Sequence, residues 1–146
     1  ERLQPLAAYH RLLRDDDAQA RRLAQHWAAW EATCATLMPH AQVSAGFDAA
    51  SWALARMETH YFAGNGMVGA DPILPRMQAL RGIPAWLVHG RYDLVCHPEQ
   101  AWALHQHWPG SVMSWVNSAG HSAMETAITD ALVTAVQSLY NKLEAS

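Results

Sequence analysis

The sequence predicts an α/β protein in two parts, helices over residues 1–81 and a βαβα unit with parallel strands over 82–146. Two observations carry this expectation. In the first half, apolar residues recur at three- and four-residue spacing, the period of one helix face. In the second, two apolar runs of strand length alternate with helical segments, and such a connection implies parallel neighbouring strands with a right-handed crossover. A chain of 146 residues, 51% of them apolar and 16% charged, is of single-domain length and globular composition.

Taken in order, Asp16 or Asp17 is placed to cap a helix running to about Met38. Its stripe is Leu23, Ala24, Trp27, Trp30, Cys34, Leu37 and Met38, and Pro39 stops it. Asp48 is placed to cap a second helix, "DAASWALARMETHYF", which leads into the loop "AGNGMVGADP". A short helix over 73–80 ends at Gly82. "IPAWLVHG" is a continuous apolar run, as expected of a strand covered on both faces. Pro98 suits the first turn of the helix "PEQAWALHQHW", closed by Pro109 and Gly110. "SVMSWVNS" reads as the second strand, and "GHSAMET" turns into a final helix to about Leu143. Trp27, Trp30 and Trp52 are expected to pack the helical part, Trp86 and Trp115 the sheet, and His89 to close a strand end.

Charge and composition exclude several classes. The net charge is −3 and the only charge run is Asp15-Asp16-Asp17, so neither nucleic acid nor an anionic membrane is an expected partner. No apolar stretch approaches 18 residues and no signal-peptide pattern is visible, which leads to the expectation of a soluble, cytoplasmic protein. Two cysteines, Cys34 and Cys96, are expected as free thiols. Nine histidines contain no His-Glu-x-x-His, and His105 and His107 face different ways on a helix, so no metal is expected. "AGNGMVG" lacks the Lys-Ser/Thr of a phosphate loop, and no cofactor is expected.

The chemistry is expected at the carboxyl ends of the strands, where sites of such sheets lie. Asp93 follows the end of one strand and His121 the end of the next, so the two should meet. An Asp that accepts from one imidazole nitrogen leaves the other nitrogen free to take a proton from a nucleophile. Two further acids lie on apolar helix faces, Glu31 between Trp27 and Cys34, and Glu58 between Leu54 and Tyr61. A buried carboxylate is expensive without a partner. Two readings stay open here, a structural ion pair with an arginine such as Arg56 or Arg91, and a cation held between the acids.

The stretch "IPAWLVHGRYDLVCHPEQAWALHQHWP" followed by "GHSAMET" resembles the C-terminal portion of the proline iminopeptidases, serine peptidases of the α/β-hydrolase fold. "WEATCATLMP" and "ARMETHYF" resemble the helical cap of that family. The resemblance implies that Asp93 is the triad acid and His121 the general base. It implies that Glu31 and Glu58 bind the substrate's free α-imino group, and that Cys96 lies close to the substrate pocket, with Tyr61 and Phe62 walling it. The implied substrates are peptides with N-terminal proline, whose ammonium supplies the cation that a neutral acyl-proline lacks.

The family's Gly-x-Ser-x-Gly elbow and oxyanion segment are not found; no serine here has glycine at both −2 and +2. In family order both elements are expected before Glu1, so the expected partner is the N-terminal part of the hydrolase domain. The chain by itself is then expected to be inactive. With a strand left without neighbours, self-association or a compensating rearrangement is also expected. The rivals are another capped hydrolase, an esterase or carbon–carbon bond hydrolase, which would share Asp93 and His121 without needing Glu31 and Glu58, and a non-catalytic helical interaction fragment.

Overall fold

A computed structural model describes residues 4–64 and 73–145; the glycine-rich loop of the sequence reading lies almost wholly outside them. The elements are helices α1 (Pro5–Leu12), α2 (Ala18–Cys34) and α3 (Ala41–Ala63), a 3-10 helix (Leu74–Leu80), strand β1 (Trp86–Gly90), helix α4 (Pro98–His107), strand β2 (Val112–Val116) and helix α5 (Thr126–Glu144). The chain divides into two compact units: Glu1–Thr33 with Ala41–Asp71, and Cys34–His40 with Pro72–Ser146.

In the helical unit, Asp17 caps α2: its Oδ1 accepts the amide of Ala20 at 2.7 Å. The core gathers Leu13, Ala20, Ala24, Trp27 and Ala55, with Leu6, Tyr9, Leu23 and Trp52 packed around it. Trp27 is the large side chain of this cluster, and Tyr9 and Trp30 contact its ring at 5.3 and 5.5 Å between centroids. Trp30, expected in the packing, is 60% exposed and meets the Trp27 ring edge-on. Trp52 is half-buried, with the guanidinium groups of Arg21 and Arg56 over its ring.

Two helix boundaries differ from the sequence reading. α2 stops at Cys34 rather than near Met38. The carbonyl of Ala35 leaves the helix to accept the amides of His121 (3.0 Å) and Ser122 (2.8 Å), so a non-local contact replaces the last helical turn. Leu37 and Met38 are exposed as a result. α3 begins at Ala41, and Asp48 lies inside it instead of capping it. Its first turn buries Val43, a tertiary gain that outweighs Gly46, whose cost in a helix is about 1 kcal/mol.

In the second unit β1 and β2 pair in parallel, with Trp86 opposite Val112 and Gly90 opposite Val116. The helix between them opens with Pro98 at its first turn, where the missing N–H leaves no bond unmade. Gly110 takes φ 82° in the turn that follows, a conformation that suits glycine. Residues 83–85 stay outside β1, although Ala85 accepts the amide of Val112 at 2.8 Å. α5 packs on both strands, and α4 on both strands and the 3-10 helix. β1 is half-buried except at Gly90 rather than covered on both faces, since the described sheet has two strands.

The strand ends are tied together closely. Arg91 donates its amide to Val116 (2.9 Å) and Tyr92 to Ala119 (3.0 Å). A Cβ on Gly90 would run into the carbonyl oxygens of Gly120 and Ala119. Gly90→Ala is therefore expected to destabilise the fold by about 3 kcal/mol, read as a lowered urea midpoint. A midpoint equal to wild type would show that the histidine loop is not pressed against β1.

Candidate active site

Asp93 and His121 meet where the two strands end. His121 Nδ1 lies 3.0 Å from Asp93 Oδ2. Because a carboxylate only accepts, Nδ1 is the donor, and in the neutral ring the lone pair then sits on Nε2. The other carboxylate oxygen, Oδ1, accepts the amides of Val95 and Cys96, each at 2.8 Å. Asp93 is thus held by its own turn, which aims one oxygen at the imidazole. Its exposure is 5%, while the His121 side chain is 39% exposed. A buried acid behind a half-exposed base is the arrangement general-base chemistry requires.

His89 stands beside this pair. Its Nδ1–H donates to the carbonyl of Gly90 at 2.9 Å, and its ring meets Trp115 edge-on at 5.8 Å between centroids. Its Nε2 lies 3.6 Å from Asp93 Oδ2, too far for a hydrogen bond. Arg91 lies over the Trp115 ring. Ser122, next to the candidate base, accepts the amide of Met124 on its Oγ at 3.2 Å. Cys96 is exposed, and burial of its thiol, then the charge of Asp93, push its pKa upward. This thiol resists ionisation and is not poised as a nucleophile.

In the helical unit, Glu31 on α2 and Glu58 on α3 approach to hydrogen-bonding contact. Glu31 is 7% exposed, and its Oε2 is buried with no hydrogen-bond partner. Glu58 Oε2 accepts the indole N–H of Trp27 at 2.8 Å. Burial raises the pKa of Glu31 to about 8; the hydrogen bond and charge of Glu58 add to the rise, and the Trp27 indole opposes it. The arginine alternative is not realised, since Arg56 lies over the Trp52 ring and Arg91 over Trp115. Burial and the neighbouring carboxylate of Glu58 thus both favour the protonated form of Glu31.

Tyr61 and Phe62 are both exposed and line different hollows of this unit. Phe62 joins Leu6, Tyr9, Trp27 and Trp30 around an aromatic pocket of about 520 Å³. Tyr61 borders an open depression of about 600 Å³ with His10, Arg14, Trp52 and His60. Among the described residues, no three His, Cys, Asp or Glu side chains cluster as metal ligands. No described helix is long and apolar enough to cross a membrane.

One residue of the site went unnoticed in the sequence, Glu125. It is 9% exposed, and its two oxygens accept the amides of Gly120 (2.7 Å) and Leu37 (3.0 Å). Hydrogen bonds to a charged acceptor are worth about 1.5–3 kcal/mol each. A glutamate at the start of a helix reads as an ordinary dipole partner, and nothing in the local sequence points to the distant amide of Leu37.

No protein-family model matches the chain. It is 41% identical over 143 residues to a proline iminopeptidase of Xylella fastidiosa, a match covering 94% of this chain and 45% of that protein. A proline iminopeptidase of Xanthomonas citri is 39% identical over 92% of this chain and 44% of its own length. That of Arabidopsis thaliana is 39% identical over 88% and 35%. Among solved structures, an esterase from Exiguobacterium antarcticum matches with a TM-score of 0.59 and 17% identity, over 90% of this chain and 48% of that one. The chain thus spans less than half the length of these curated relatives, and its helices and parallel strand pair are part of an α/β-hydrolase fold. Over the portion it spans, the chain belongs to the proline iminopeptidase family.

Proposed function

We propose that this chain provides the acid, the base and the amine-binding acids of an enzyme that releases N-terminal proline from peptides. The serine nucleophile and the oxyanion donors come from a further part of the hydrolase domain. His121 Nε2 takes the proton of the serine hydroxyl as its oxygen attacks the prolyl carbonyl, and Asp93 stabilises the imidazolium that forms. The imidazolium then protonates the leaving peptide amine, and water attacks the acyl-enzyme with His121 again as base. Glu31 and Glu58 meet the secondary ammonium of the substrate, with Phe62, Tyr61 and Cys96 as candidate walls. The free edges of the described sheet and the exposed Val133, Val136, Tyr140 and Leu143 of α5 are where the further part of the domain packs. Without it, the same surfaces favour self-association.

The observation that carries the prolyl reading is the buried, unpartnered oxygen of Glu31 beside Glu58. An esterase has no use for this pair, and an interaction fragment has no use for the Asp93–His121 hydrogen bond. The test is Glu31→Gln with Glu58→Gln in a form of the protein that carries the nucleophile. Hydrolysis of proline anilide is expected to fall at least 100-fold while a simple ester is still cleaved. Equal retention of both activities would place the substrate amine elsewhere.

A further inference from the structure

Resting on the reading of Asp93 and His121 as a catalytic pair, the geometry points to Glu125 as the positioning residue of His121. His121 reaches Asp93 from a loop, and that loop is held on three sides. Gly90 leaves no room for a side chain under the carbonyl of Gly120. Ala35 accepts the amides of His121 and Ser122. Glu125 closes the third side: Oε1 takes the amide of Gly120, the residue before the base, and Oε2 takes the amide of Leu37, two residues beyond Ala35.

The carboxylate therefore rivets the two backbone segments that meet at the base. A Cβ on Gly120 would lie 3.1 Å from the Leu37 nitrogen and 3.3 Å from the Ala35 oxygen, so the segments are already at closest approach. Glu125 is not used as a helix cap. Its side chain makes no cap bond to α5, while its backbone carbonyl accepts Ile128 and Thr129, each at 2.9 Å. A buried carboxylate with both oxygens on amides outside its own helix is doing another task, and the group next to those amides is His121. Only a side chain with two acceptor oxygens serves; a carboxamide turns one N–H donor against another.

The experiment uses the 146-residue chain labelled with 15N in histidine, and follows exchange with water of the His121 Nδ1 proton that Asp93 accepts. In the wild type this proton is expected to be protected. In Glu125→Gln it is expected to exchange at least tenfold faster, with the amide spectrum of α5 and the strands retained. A protected proton in the wild type that exchanges equally slowly in Glu125→Gln overturns the role of Glu125 and leaves the Asp93–His121 pair intact. An unprotected proton in the wild type defeats the pair itself, and the role of Glu125 with it. Should Glu125→Gln not fold, Leu37→Pro removes one amide of the bridge while the carboxylate stays. It is expected to raise the exchange at least threefold, and no change there overturns the proposal as well.

Discussion

Unfolding measured in urea from pH 5 to pH 9 is expected to show a chain that loses stability as the pH rises. The cause is Glu31, whose pKa is lifted from 4.5 to about 8 by burial and by Glu58. A carboxyl with a native pKa above its unfolded value binds its proton more tightly when folded. Its contribution is fully present below the unfolded value, and is lost as pH climbs through the native one. The slope is at most about 1.4 kcal/mol per pH unit for one proton, enough to outweigh ordinary surface effects across the window. Glu31→Gln keeps the shape and removes the ionisation, so its stability is expected to vary little between pH 5 and 8 and to exceed wild type at pH 8. Parallel curves for the two proteins would show that Glu31 ionises freely, and that no dry acid pair exists. A bound secondary ammonium acts in the opposite sense to burial, favouring the ionised pair. A proline amide is accordingly expected to stabilise the chain more at pH 8 than at pH 5.

Asp93→Asn is expected to reduce peptidase turnover by about 10⁴ in a form that carries the nucleophile. The reason lies in the turn around it. Oδ1 is committed to the amides of Val95 and Cys96, so an asparagine keeps its carbonyl there and turns its NH₂ toward His121. Nδ1 must then accept rather than donate, the proton moves to Nε2, and the nitrogen meant to act as a base is blocked. The His121 Nδ1 proton should vanish from the spectrum of the variant chain while the fold persists. A loss below tenfold, with the proton gone, would mean that the tautomer of His121 does not limit the chemistry.

Much of this site was legible because its signals are local. An apolar run that ends at a glycine and is followed by an acid marks a strand end, and two such runs joined by one helix place Asp93 beside His121 before any coordinates exist. The structure bears this out in the parallel register and the 3.0 Å hydrogen bond. Acids on apolar helix faces are equally visible, because burying a charge breaks the helical pattern. Their partner was not: an arginine and a second carboxyl satisfy the same pattern, and only the folded chain shows Glu58 against Glu31 with Arg56 and Arg91 spent on tryptophan rings.

The sequence by itself determined the strand–helix–strand–helix order of the second half, a helix start at Asp16 or Asp17 and another at Pro98, and the meeting of Asp93 with His121. Each follows from periodicity, capping or chirality, which act over a few residues or one crossover. Tertiary structure alone decided that α2 ends at Cys34, that α3 begins at Ala41, and that Glu125 spans Gly120 and Leu37. These depend on backbone amides and carbonyls, which every residue carries and no residue type announces. A carbonyl freed from a helix at Ala35 to hold a histidine loop is a contact that only the packed chain can choose.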